Sequence, residues 1–139
     1  RSVQWDASTR WQLYGAQGEP WFGFDTVRDL RGLPPELLMI PMSGHSRGHV
    51  CVAVDTGSGW LLHCGDAYFQ HGTVHPGAPC ASALTLFERT VAFDYDVVLG
   101  NQRRLSELAQ SHSDAVRLLC SHDGHELSRM QALAAQATS

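Results

Sequence analysis

Ile40-Pro41-Met42-Ser43-Gly44-His45-Ser46-Arg47-Gly48-His49 runs into Val50-Cys51-Val52-Ala53-Val54-Asp55, and Trp60-Leu61-Leu62-His63-Cys64-Gly65-Asp66 follows. This stretch decides the fold. Glu36 to Met42 (ELLMIPM) is a short apolar run that stops at the Ser43-Gly44 turn. Val50 to Asp55 and Trp60 to Cys64 are two more, joined by Thr56-Gly57-Ser58-Gly59. Apolar runs this short, bounded by turn residues, read as buried strands. The tight connection makes the second and third a hairpin.

Outward toward the amino end, Pro34-Pro35 punctuates the chain. Residues 1–35 are aromatic-rich and weakly periodic. Trp11, Leu13 and Trp21-Phe22-Gly23-Phe24 predict short strands around a Gly15–Pro20 turn. Outward the other way, the Gly, Pro and His of residues 70–80 predict a loop. A helix follows from about Ala81, with Leu84, Phe87, Val91 and Phe93 on its apolar stripe. A second helix, around Asp96–Gln110, uses Val98, Leu105 and Leu108. Ala115 to Cys120 (AVRLLC) predicts a fourth strand and Gly124 opens a last helix. Asp123 is its N-cap, and Glu126 has the spacing of a capping box. The order predicts an α/β layered domain, a mixed β-sheet with helices on one face. Yet the strands are apolar on both faces, and such strands want cover on both sides.

Composition narrows the function. The chain has 139 residues, enough for one domain with a core, and 43% of them are hydrophobic. A net charge of −4 without a basic run argues against nucleic acid and anionic membrane as partners. All ten positive residues are Arg, which excludes a Lys nucleophile or Schiff base. Cys51, Cys64, Cys80 and Cys120 form no C-x-x-C and are expected as free thiols, mostly buried. No stretch reaches the roughly 20 apolar residues of a membrane span. The chain starts at Arg1 without Met, so an upstream segment is expected. The expected compartment is the cytoplasm.

Three polar residues stand out because each follows an apolar run: His45, Asp66 and His122. Each also has a plain reading. His45 can be a turn residue, Asp66 a cap, and His122 a loop residue. Together they lie at the carboxyl ends of separate strands, where α/β sheets place ligands. Imidazole and carboxylate suit Zn²⁺, or Mn²⁺ and Fe with more carboxylate. His49 begins a strand and reads as a hydrogen-bonded core residue. His63 lies within a strand and is expected to face away from Leu62 and Cys64. His71, His75, His112 and His125 read as exposed loop residues, and His125, near the start of the last helix, could reach the site. Cys64 reads as a packing residue, and Ser43 and Ser46 lack a G-x-S-x-G context.

Taken in order, Gly44-His45-Ser46-Arg47-Gly48-His49, Gly65-Asp66-Ala67 and Ser121-His122-Asp123 resemble the metallo-β-lactamase-fold hydrolases over about residues 36–126. The resemblance implies an αββα sandwich of two similar halves, with a site between two sheets holding two divalent metal ions, zinc first and manganese or iron as alternatives. It implies that His45 binds one ion, His122 the other, and Asp66 bridges both, with His49 in support. It implies hydrolysis of an ester, lactone, thioester or amide of a small-molecule substrate by a metal-bound hydroxide, with Asp66 as the catalytic carboxylate. The family's first motif, His-x-His-x-Asp-His, is absent. The resemblance therefore predicts the carboxyl-terminal half of the fold, residues 1–139 as a single piece, with the amino-terminal half as its missing partner. The rival expectation is a non-catalytic half-domain or assembly module that pairs with another chain. A homo-oligomer is a further expectation from the open apolar sheet face.

Overall fold

In the computed structural model, which describes residues 6, 8–15, 18–24 and 28–137, the three apolar runs form one antiparallel ladder. A two-residue edge strand β1 (Arg28–Asp29) pairs with β2 (Leu37–Pro41), β2 with β3 (Val50–Asp55), and β3 with β4 (Trp60–Gly65). A short 3-10 turn at His71–Thr73 precedes helices α1 (Ser82–Val91) and α2 (Tyr95–Ser111). They lead to β5 (Val116–Cys120), which adds parallel to β4, and to helix α3 (Gly124–Ala137). The sheet order is β1-β2-β3-β4-β5, a mixed sheet, as the sequence predicts. The amino-terminal strands are not formed where they were expected. Trp11 and Leu13 lie outside regular structure. Trp21 and Phe24 exchange backbone bonds of 3.0 and 2.9 Å across a tight reversal, with Phe22 at φ 44° and Gly23 at φ 82°. Two successive positive φ angles turn the chain back at once and leave no length for a strand.

Alternation sorts the strand side chains by face. Leu38, Ile40, Cys51, Ala53, Leu62, Cys64, Val116, Leu118 and Cys120 are buried, with Val98, Leu105, Leu108 and Ala109 of α2. These strand residues share one core with Leu105, Leu108 and Ala109 of α2. Each fully buried Leu or Ile there contributes about 1.5–3 kcal/mol relative to exposure. The opposite face carries Leu37, Met39, Val52, Val54, Leu61 and Leu119, all only half-buried. Met39 pairs with Val52 and Val52 with His63, so these residues form a continuous surface. Apolar strands with one open face are what the composition of the three runs leads one to expect.

This topology gathers the loops. β3 runs opposite to β2 and β4, and β5 runs with β4. The carboxyl ends of β2, β4 and β5 therefore reach the same edge of the sheet. Ser121 N–H donates to the Gly65 carbonyl at 2.9 Å and ties the last two ends together.

A buried polar cluster secures that edge. Tyr68 O–H donates to the Glu126 carboxylate (2.9 and 3.1 Å), and Cys120 N–H donates to Glu126 Oε2 at 2.8 Å. The expected capping box is thus only half made. Asp123 Oδ1 caps α3 by accepting from His125 N–H and Glu126 N–H, but the Glu126 side chain turns inward to Tyr68 instead of back to the cap. A buried tyrosine hydroxyl and strand N–H need an acceptor more than the part-buried cap does. Glu126→Gln should lower stability by about 1–2 kcal/mol, because it loses charge-assisted bonds while keeping the shape. A denaturant midpoint unchanged from the parent would contradict this account.

Candidate metal centre at the strand edge

Asp66 follows Gly65, the last residue of β4. Gly65 has φ 56°, and a Cβ there would sit 2.8 Å from His49 Nε2. Glycine is needed at this point for both reasons. The reversal sends the Asp66 backbone N–H onto His49 Nε2 at 2.9 Å. Because that nitrogen accepts, the His49 proton sits on Nδ1 and is donated to the Met42 carbonyl at 2.8 Å. His49 is therefore a strut between the end of β2 and the loop after β4.

His45 is set by its own clamp. Gly44 has φ 137°, and a Cβ there would lie 2.9 Å from Val98 Cγ2. The Gly44 and His45 carbonyls accept from Asp94 N–H (2.9 Å) and Phe93 N–H (3.1 Å) at the α1–α2 junction. Asp94 also caps α2 through its side chain, which accepts from Val97 N–H. The same few residues start a helix and aim an imidazole.

The two imidazoles, His45 and His122, both face Asp66. His122 Nε2 lies 3.0 Å from Asp66 Oδ1, and His45 Nε2 lies 3.4 Å from Asp66 Oδ2. Each imidazole faces a different oxygen of one carboxylate. Among the described residues, the one set of three donor atoms mutually within 4.8 Å is His71, Asp123 and His125. His45, Asp66 and His122 thus do not close around a single point. The donor set is spread across the two oxygens of Asp66. His122 is half exposed, while the His45 ring is mostly covered. Phe69, buried, packs its ring edge-on against His122 (4.6 Å between centroids) and His45 (5.8 Å).

His63 is exposed on β4, opposite Leu62 and Cys64, as alternation requires. Cys51, Cys64 and Cys120 are buried free thiols, and Cys80 is an exposed one. Burial pushes the Cys64 thiol well above its ordinary range and the Cys120 thiol up to about 12, so neither is poised as a nucleophile. His112 is exposed, capping the end of α2. His71 is not the free loop residue its surroundings suggest. Its backbone N–H and its ring Nδ1 both lie 2.6 Å from Asp123 Oδ2, and its ring stacks on His125 at 4.5 Å. His125 pairs with His71. Burial works against the Asp123 charge, but bonds from His71, Glu126 and His125 outweigh it and hold the carboxyl at about 2. Asp123 thereby fastens the loop after β4 to the start of α3, next to His122.

Two site neighbours escape sequence reading. Phe69 looks like one more apolar residue after the Gly-Asp pair. Glu88 lies four residues after Leu84 and is buried, whereas Phe87, Val91 and Phe93 of the expected apolar stripe are exposed. Its i+4 spacing from Leu84 was the available signal. Burial raises its carboxyl above the ordinary range, against bonds from Gln102 and Phe69 N–H and the nearby His45.

No protein-family model matches the chain. Over 123 residues it is 34% identical to "Probable metallo-hydrolase Mb2322c" of Mycobacterium bovis and equally to "Probable metallo-hydrolase Rv2300c" of Mycobacterium tuberculosis. The match covers 88% of this chain and 40% of each relative, so the chain spans well under half the length of the curated relatives it matches. Among solved structures, an N-acyl homoserine lactone hydrolase with N-hexanoyl-L-homoserine at its catalytic metal centre aligns with 70% of this chain and 34% of its own, at 21% identity and a TM-score of 0.49. A quorum-quenching N-acyl homoserine lactone lactonase aligns with 72% and 36%, at the same identity and score. The chain is thus similar to two probable metallo-hydrolases over 88% of its own length.

Proposed function

We propose that this chain supplies one flank of a two-metal hydrolase centre acting on an ester, lactone, thioester or amide. The observation that carries the reading is the split carriage of Asp66, one oxygen toward His45 and the other toward His122. A carboxylate shared in this way suits a bridge between two cations better than one closed cage. The donors fit such a pair: two imidazoles and a carboxylate, N and O ligands typical of zinc, manganese or iron sites. His45 would hold one ion, His122 the other, and Asp66 both. When bound, such ions lower the pKa of water and polarise a carbonyl oxygen. The protein's own part is positional. His49 holds the Asp66 backbone, Asp123 ties the loop after β4 to the start of α3 beside His122, and Phe69 keeps one side of the imidazoles dry.

In this reading the chain is the carboxyl-terminal portion of its domain, and the other ligands come from an amino-terminal portion with the His-x-His-x-Asp-His motif. That portion would also cover the half-buried face of Met39, Val52 and Leu61. No helix among the described residues is long and apolar enough to cross a membrane. The test is metal analysis of the intact protein with hydrolysis assays on a lactone, an aryl ester, a thioester and an amide. About two equivalents of metal and turnover of at least one substrate are expected. Protein that folds, binds no metal and turns over none would favour the assembly module. His63→Ala is the control. It should leave metal content and turnover near the parent, since among the described residues its ring only accepts from Gly65 N–H at 3.3 Å and meets neither His45, Asp66 nor His122.

A further inference from the structure

Among the described residues, two buried polar atoms beside the site have no partner: His45 Nδ1 and Glu88 Oε1. Glu88 is only 4% exposed. An orphaned ring nitrogen and an orphaned carboxylate oxygen each carry a desolvation penalty of about 1–3 kcal/mol. Two such orphans near each other call for an explanation. Geometry places Glu88 near His45: its carbonyl accepts from Ala92 N–H at 3.0 Å, the next residue, Phe93, donates its N–H to the His45 carbonyl at 3.1 Å, and the carboxylate is close enough to feel the His45 ring. Gln102, which also bonds this carboxylate, donates to the Ala67 carbonyl at 3.1 Å, one residue from Asp66. Glu88 thus belongs to a frame that already includes the loop bearing Asp66.

The His45 ring offers its Nε2 to the Asp66 side, so Nδ1 is the nitrogen left for the protein. A histidine that ligates a metal through one nitrogen donates its other N–H to a carboxylate, carbonyl or water, which fixes the ring and raises its basicity. No carbonyl takes that role for His45 as it does for His49. We infer that Glu88 is a positioning residue that accepts the His45 Nδ1 proton, directly or through one water, and holds Nε2 toward the ion that His45 would bind. The inference rests on the two-metal reading above. It adds a residue from α1 and accounts for the buried carboxylate on that helix.

The test uses the intact protein loaded with Zn²⁺, read by histidine-ring NMR and by chelator competition. In the parent, the His45 Nδ1 proton should appear downfield and protected from solvent exchange. Glu88→Ala should lose that signal and bind zinc about 10–100-fold more weakly. Glu88→Gln should retain the protected proton, because the amide oxygen still accepts, with a smaller loss of affinity. A parent Nδ1 proton in free exchange, or a Glu88→Ala protein with parental signal and affinity, would overturn the inference. If Glu88→Ala does not fold, parental affinity in Glu88→Gln would overturn it, since the charge is lost there. His45→Ala separates the two ideas. Unchanged zinc binding in that variant removes the metal-centre reading itself, whereas a loss there with no effect at Glu88 removes the positioning role alone.

Discussion

Asp66→Asn in the intact protein should abolish most hydrolysis and most metal retention together. The substitution keeps the size of the side chain and removes the charge shared by two imidazoles 3.0 and 3.4 Å away. Loss of several kcal/mol of electrostatic stabilisation corresponds to roughly 10³-fold in kcat/KM. The fold should survive, because His49 holds the Asp66 backbone N–H and not its side chain. Circular dichroism and the unfolding midpoint should therefore stay near the parent while metal stoichiometry falls. Full metal occupancy in Asp66→Asn would show that this carboxylate bridges nothing. Comparison with His45→Ala and His122→Ala sharpens the outcome. Each should weaken one ion more than the other, whereas Asp66→Asn should weaken both.

Gly65→Ala should cost about 3 kcal/mol of stability and disturb the site at the same time. A Cβ at position 65 would stand 2.8 Å from His49 Nε2, within a strut whose other end is fixed to Met42. Positive φ for a residue with a Cβ costs about 1–2 kcal/mol, and overpacking against a held ring adds about 1–3. Gly57→Ala provides the comparison. Its φ is 78°, but nothing lies within 4 Å of the added carbon, so only the backbone cost of about 1 kcal/mol applies. Denaturant unfolding of the two variants would separate clash from conformation. Equal losses would mean that the His49 strut yields freely, and the Asp66 loop would then need another support.

How much of this was legible beforehand follows from the range of the interactions involved. The three central strands, α1, α2 and β5 are short-range patterns of apolar residues and turn formers, and they appear within a residue or two of where those patterns place them. The placement of His45, Asp66 and His122 after strands is equally local. The reversal at Trp21–Phe24 was not legible, because positive φ at Phe22 is unusual and is sustained by packing of Trp21 against Trp60. The capping-box spacing at Asp123 and Glu126 was legible, but not its outcome. Tyr68 arrives from 58 residues away and takes the glutamate. His71 looked free for the same reason, since Asp123 is 52 residues distant.

By itself, the order of residues determined which segments become strands and helices, and which polar side chains end up on loops at strand ends. It also determined the open apolar face, since alternation in β2, β3 and β4 puts hydrophobic residues on both sides. Only the tertiary structure decided that the two oxygens of Asp66 face different imidazoles, and that Glu88 lies buried beside the His45 ring. Local pattern controls backbone conformation over a few residues. Which side chains meet depends on strand direction, register and the crossover through α1 and α2, and these are settled by packing the whole core at once.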